Sequence, residues 1–400
     1  MNSSRNSTLL LLALLATGCL TVHADELDTL QFSAQENLLY DSNVFRLSDT
    51  VNPQTLLGTS DTSDMIATTT LGLKVDKHYG LQRFVLDVNA TNYHYDRFSF
   101  LDFTAYNYNA AWDWSFTPAL HGTLSTDRKE YIDYSADVQN AGLLNHRTDR
   151  STVLDAEYEL GGAWRLVGGA YNQTSSSSVT TVYEGDYQLN GGDVGMRYVF
   201  PSGTSITYRF KSDQGTYTGL PPTTIFATNF SDRENEFKFD WAPTGRTTLQ
   251  ARLSYLQRSN DDLAARNYSG IVGNFDATYA LTAKTSIAAG VARNLLSYQT
   301  DTDSYFVQNS VYIAPTWKAT EKTAVKLRLQ HFLLNFNGPL PGYAPDNRQD
   351  QVNQASLSFE WQPLRSVKLI AALLRDVRSS NEYGYDYNSH GASITAVASF

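Results

Sequence analysis

Cysteine is almost missing from this 400-residue sequence: Cys19 stands alone, inside a stretch that does not belong to the mature fold. Residues 1–24 read as an export signal, with Arg5 as the positive start, Leu9 to Leu15 as a short apolar core and Val22-His23-Ala24 as a small-residue cleavage site. A lipoprotein signal would instead need cleavage just before Cys19, and Ala16 is a poor match for the Leu usually found three residues upstream. Cleavage after Ala24 leaves a chain with no thiol, bound for an oxidising space without a disulfide.

Long apolar runs are missing too. Beyond the signal the longest is Leu369 to Leu374, far below the roughly 18 residues that a spanning helix needs. Basic charge is short, with 31 Lys and Arg against 41 Asp and Glu, which excludes nucleic acid as a partner. The seven histidines (His23, His78, His94, His121, His146, His331 and His390) form no pair at metal-ligand spacing, and Gly-x-Ser-x-Gly does not occur. The sequence therefore offers no catalytic residue, no metal site and no cofactor. The acidic pairs Asp261-Asp262 and Asp301 with Asp303 match no calcium-loop spacing and read as solvated loop carboxylates.

What is abundant is aromatic: 25 Tyr, 19 Phe and 6 Trp, in a chain whose mean hydropathy is still −0.36. Phe237 to Gln257 shows how both hold at once. Phe237, Phe239 and Trp241 alternate with Lys238 and Asp240; Ala242-Pro243-Thr244-Gly245 turns the chain; Leu249, Ala251, Leu253 and Tyr255 then alternate with Gln250, Arg252 and Ser254. Successive side chains of a strand point to opposite faces, so this hairpin has one apolar and one charged face. The rule repeats along the chain, in Met65 to Val75, Phe84 to Ala90 and Tyr106 to Phe116, and no helical segment is available to cover so much apolar face.

Short turns recur about every 40 residues: His78 to Gly80, Phe116 to Ala119, Gly161-Gly162, Pro201 to Gly203, Ala242 to Gly245, Thr282 to Lys284, Ala319 to Lys322 and Gln362 to Arg365. Longer polar segments lie between them: Asp41 to Asp61, Asp133 to His146, Asn172 to Tyr183, Ser212 to Phe230, Arg258 to Arg266, Asn335 to Arg348 and Arg378 to Asp386. A propeller repeats at a similar length but packs four short strands into each period, where this chain supplies two long ones. The reading is all-β: one transmembrane antiparallel β-barrel over residues 25–400, with about 18 strands, short periplasmic turns, longer extracellular loops and outer-membrane lipid around it. The last strand, Asn388 to Phe400, ends on an aromatic residue, as do strands recognised by the barrel-insertion machinery.

If the apolar phase meets lipid, the opposite phase lines the lumen. Its expected residues are Lys74, Arg83, Asp87, Asp149, Asp155, Glu157, Asp193, Arg197, Arg209, Lys211, Glu234, Glu236, Lys238, Arg252, Lys326, Arg328, Glu360, Lys368 and Asp376. Mixed signs suit uncharged polar solutes, or an interior braced by ion pairs. Asp127 to Glu130 are consecutive charges, so two must point outward, near the outer rim. A long loop such as Ser212 to Phe230 is positioned to fold inward as a plug.

Tyr40-Asp41-Ser42-Asn43-Val44-Phe45-Arg46-Leu47-Ser48-Asp49 resembles the opening of the EpsL-like proteins, outer-membrane barrels encoded with exopolysaccharide biosynthesis genes in exosortase-associated operons. The general plan of signal, opening segment and amphipathic barrel is similar as well. The resemblance implies a part in exporting polysaccharide, with the polymer and its synthesis proteins as partners, and it assigns no residue roles. From the residues alone, a general or sugar-specific porin is the alternative, and an outer-membrane hydrolase comes third.

Overall fold

The computed structural model describes residues 29–134, 143–179, 185–219 and 225–400, so the signal segment 1–24, with Cys19, lies outside the described residues. Eighteen strands follow one another: β1 (Leu30–Asp41), β2 (Asp64–Tyr79), β3 (Gln82–Tyr95), β4 (Phe103–Thr117), β5 (Leu120–Ile132), β6 (His146–Gly161), β7 (Trp164–Ser177), β8 (Asp186–Val199), β9 (Ser205–Thr218), β10 (Asn229–Thr244), β11 (Thr247–Asn260), β12 (Tyr268–Ala280), β13 (Thr285–Ser297), β14 (Tyr305–Trp317), β15 (Thr323–Asn337), β16 (Gln349–Leu364), β17 (Val367–Ser380) and β18 (Tyr387–Ser399). Each strand pairs antiparallel with its neighbours in sequence, and β1 also pairs with β18, Leu38 opposite Ile394. The sheet closes into a barrel and keeps no free edge.

All eight turns expected from Pro, Gly and aromatic residues fall between strands, at one end of the barrel. The connections at the other end are shorter than the sequence suggests. β7 runs to Ser177 and β9 to Thr218, because those strand ends are polar on both faces and lose the alternation that marks a membrane strand. The expected plug from Ser212 to Phe230 is therefore strand at both its ends, Ser212 to Thr218 in β9 and Asn229 to Phe230 in β10, and residues 220–224 of it lie outside the described residues.

The segment between β1 and β2 takes the inward position instead. It contains one short helix, α1 (Pro53–Leu57), begun by Pro53 after Asn52, whose side chain accepts from the Gln54 N–H, and ended by Gly58 at φ 73°. Before the helix, Val44, Phe45 and Leu47 are buried against Ile66, Tyr95, Phe98, Leu101 and Leu144. Leu101 belongs to the β3 to β4 connection, a loop with a single 3-10 turn at Ser99–Leu101 that the sequence did not mark.

The outward face reads as expected for a membrane sheet. Leu71 (60% exposed), Phe237 (51%), Leu253 (58%) and Ile394 (67%) are bare, and a row of Trp164, Trp241, Trp317 and Trp361 stands beside the turns. Trp114 is the exception in this row. It lies over Gly122, where a Cβ would come within 2.5 Å of its ring, so it is buried while its neighbours are not. On β5, Arg128 and Glu130 take the outward phase and pair with each other at 2.9 Å, while Lys129 stacks over Tyr131 on the inner phase.

Candidate functional site

The inner phase carries its charges as linked groups. Arg209 on β9 sits 2.6 Å from Asp193 on β8 and 2.6 Å from Asp155 on β6. Reaching across β7 and β8 in this way is possible only on the concave side, where side chains of non-adjacent strands converge. The next group uses Glu157, which meets Arg197 at 3.1 Å and Arg165 at 3.7 Å. Glu236 is almost fully buried, at 1% exposure, and is surrounded by Arg252 (2.6 Å), Lys211 (2.7 Å) and Lys238 (3.4 Å), while Arg252 also bonds Glu234. A carboxylate taken out of water needs this many cationic partners.

The remaining inner-phase residues are spread along the wall. Glu360 pairs with Lys326 at 2.7 Å and lies 3.9 Å from Lys368. Arg83 clasps Asp76 at 2.6 Å and stands 3.7 Å from Asp113. Asp149 accepts from Tyr131 (2.9 Å) and Ser175 (2.6 Å). Lys74 stands opposite Asp87 in the β2 to β3 register, and Asp87 makes no hydrogen bond or ion pair among the described residues. Arg328 makes no ion pair there either; its guanidinium lies 4.2 Å from the Tyr312 ring and donates to Gln330 at 3.1 Å.

At the loop end the wall is fastened by three guanidinium clasps, each beside aromatic rings. In the first, Arg46 holds Asp41 at 2.8 Å and Asp376 of β17 at 3.5 Å, with the Tyr134 ring 4.3 Å away. Burial works against the charge of Arg46, but Tyr134, Asp41 and Asp376 outweigh it and hold the guanidinium above its ordinary pKa. Arg46 adopts φ 53°, and Asn43 locks the bend by donating to the Leu47 carbonyl (2.8 Å) and accepting from the Leu47 N–H (2.9 Å). The second clasp places Asp350, wholly buried, between Arg348 and Arg378, with Arg348 over the rings of Phe336 (4.2 Å) and Tyr385 (3.7 Å). The third pairs Asp232 with Arg258, over Phe230 at 4.0 Å.

Arg266 does a related job without a carboxylate. It donates to the carbonyls of Ile225 (2.5 Å), Thr300 (2.6 Å) and Asp303 (2.7 Å), tying three loops together. Burial lowers its guanidinium to about 10, still protonated at neutral pH.

Of these clasp residues the sequence marks Asp376 by phase, and Asp41 and Arg46 within the Tyr40 to Asp49 segment. The others were missed because a strand-to-loop junction has no periodicity to read. One signal was available: Arg348 and Asp350 are two apart in sequence, hence on one face of a strand.

A recess of about 330 Å³ opens beside the first clasp, lined by Arg46, Tyr134, Arg328, Gln330, Gln354 and Asp376 over an apolar floor that includes Leu39 and Leu374. It combines the guanidiniums of Arg46 and Arg328 and two amides with apolar contact and with the carboxylates of Asp41 and Asp376, both already held by Arg46, a set suited to a small solute bearing hydroxyls or a carboxylate. Among the described residues no three His, Cys, Asp or Glu side chains gather closely enough to hold a metal ion.

No family model and no curated protein matches the chain. Among solved structures it is similar to Pseudomonas aeruginosa OccK2 (OpdF), with 12% identity, TM-score 0.52, and coverage of 93% of this chain and 98% of that one. The structure of OccK2 in complex with glucuronate (12%, TM-score 0.50, 93% and 98%) and that of Pseudomonas aeruginosa OpdK with vanillate (10%, TM-score 0.51, 93% and 99%) are similar to the same extent. The fold is that of an outer-membrane porin. At these identities the likeness is one of architecture, and it extends over nearly all of both chains. A barrel of this kind has lipid around it and points to the outer membrane as its location.

Proposed function

We propose that the protein is an outer-membrane diffusion channel for small polar solutes, with solutes bearing a carboxylate held at the Arg46 and Arg328 recess. The observation that carries this is the state of the inner-phase charges away from the mouth. Lys238 (47% exposed), Lys326 (46%) and Asp155 (38%) are paired yet still in contact with solvent, as on the wall of a water-filled bore rather than within a packed core. Glucuronate and vanillate, present in the OccK2 and OpdK structures, are both small carboxylates and are the natural first probes. Planar-bilayer recording of the purified barrel tests the proposal: stepwise conductance, reduced by millimolar glucuronate or vanillate and less so after Arg328→Gln, supports it. A protein that inserts and folds but conducts no ions refutes it.

The resemblance of Tyr40 to Asp49 to the EpsL-like opening supports a second reading, export of an exopolysaccharide, since these residues form the clasped loop at the mouth. Deletion of the gene separates the two. Loss of extracellular polymer with unchanged uptake of small sugars favours export, and the reverse favours the diffusion channel.

A further inference from the structure

The outer face carries a pattern that neither reading uses. On β13 to β18 the outward phase is apolar beside the turns and then presents a row of three polar register pairs, Arg293 with Asn309, His331 with Asn353 and Arg375 with His390, each offset by two residues from the next across the β14 to β15 and β16 to β17 ladders. Arg293, His331 and Arg375 occupy equivalent places, at 293 in a strand that begins at 285, 331 in one from 323, and 375 in one from 367. With about 2.5 Å of height per residue in a tilted strand, the row lies roughly 20 Å above the turn-side tryptophans, where hydrocarbon gives way to headgroups. The outward phase of these six strands contains no carboxylate. The strands beyond β18 differ, since Glu36 stands among the outward residues of the adjoining β1 and Glu130 among those of β5.

Two apolar grooves run down from this row. A gap of about 610 Å³ lies between Leu253, Phe275, Val291 and Val311, headed by Arg293 and His331. A neighbouring groove of about 390 Å³ runs between Val311, Ile313 and Leu329, headed by His331 and Arg375. Arg293 uses Nε on the Ile271 carbonyl (3.2 Å) and Nη1 on Asn309 (2.9 Å). His331 uses Nδ1 on Asn353 (2.8 Å), and Arg375 makes no hydrogen bond or ion pair among the described residues. Donors thus remain above each groove.

We propose that this face binds an acylated, phosphate-bearing lipid of the surrounding leaflet, with acyl chains in the two grooves and phosphate on Arg293, His331 and Arg375. The proposal rests on the barrel standing in a membrane with its loops outward, and not on what passes through the bore. A second copy of the chain fits less well, because a two-fold contact through this face would bring cations against cations with no carboxylate to pair them.

Binding of bis-phosphorylated lipid A to the full barrel in neutral detergent, followed by native mass spectrometry, provides the test. Intact protein is expected to retain the lipid and to prefer it over the dephosphorylated form, while an Arg293→Gln, Arg375→Gln double variant binds on the order of ten-fold more weakly. Heat-modifiable migration and unchanged bilayer conductance establish that the variant is folded with an intact bore. Equal binding by variant and parent, equal binding of the dephosphorylated lipid, full displacement by millimolar inorganic phosphate, or cross-linking of an Arg375→Cys barrel to a second copy would each overturn the proposal.

Discussion

The Nε of Arg46 stands 3.5 Å from the Asp376 carboxylate, so a side chain of the first loop is anchored to the seventeenth strand across the inside of the mouth. The same guanidinium holds Asp41 at 2.8 Å, and Asp41 also accepts from Ser389 at 2.6 Å, which brings three strands and one loop to a single buried point.

Removing that guanidinium should free the loop. Arg46→Ala leaves two carboxylates without their cation, a loss of about 3 kcal/mol for a buried pair broken from one side. The expected result is faster protease cleavage within residues 42–63 and a larger single-channel conductance, with the barrel still heat-modifiable. Unchanged conductance would show that the loop does not limit the bore.

Glu236 makes the opposite case, as the anion at the centre of a cationic group. Glu236→Gln keeps the shape but leaves Lys211 and Arg252 sharing only Glu234, and a cost of about 3 kcal/mol is expected in denaturant unfolding. The variant should also shift the zero-current potential in a salt gradient toward anion selectivity. An unchanged zero-current potential would place Glu236 outside the conducting path.

Asp303, in the loop between β13 and β14, supplies a pH dependence. Burial, then the neighbouring Asp346, raises its carboxyl from 3.8 to about 6. A raised carboxyl favours the closed loop fully below the unfolded pKa, and that contribution is lost as pH rises through the folded one. Protection factors, in which exchange rates are corrected for intrinsic pH dependence, should therefore be higher in residues 298–304 and 338–348 at pH 4 than at pH 7.5. Asp303→Asn should remove the difference, and exchange in the variant that still accelerates with pH after correction for intrinsic rates would exclude Asp303 as its source.

Facing of the sheet can be tested without interference from a native thiol once residues 1–24 are removed, since the only cysteine is Cys19. Lys238→Cys should react with a small membrane-impermeant maleimide through the bore, and Leu253→Cys only with a lipid-partitioning one. Equal labelling of both by the hydrophilic reagent would contradict the two-faced sheet.

Much of the fold was legible in the residues. Alternation such as Phe237-Lys238-Phe239-Asp240-Trp241, broken by Pro and Gly turns, gives strand number and turn positions, because lipid imposes a strict period on the outward phase. The same rule loses force above the membrane, which is why Asn172 to Ser177 and Ser212 to Thr218 read as loop although they are strand. Val44, Phe45 and Leu47 were hidden for a related reason: they sit among Asp, Ser and Asn without a period, and their burial comes from Tyr95 and Leu101 in other elements. The face on which Arg209 lies follows from its neighbours in sequence. Its union with Asp155, three strands away, follows only from the curvature of the closed sheet.

The seam between β1 and β18 also sets an order of events. Every other pairing joins strands adjacent in sequence, so each hairpin can form as soon as its own residues are available. The seam, where Phe32 and Phe400 exchange backbone hydrogen bonds at 2.9 and 2.8 Å, must wait for all of them. The added entropy of closing so long a loop is only about 3 kcal/mol more than that of a short hairpin, because the cost grows with the logarithm of length. The barrier to finishing is therefore one of assembly: until the final strand docks, an open sheet carries two unpaired edges, and its competing reactions are with the edges of other unfinished sheets.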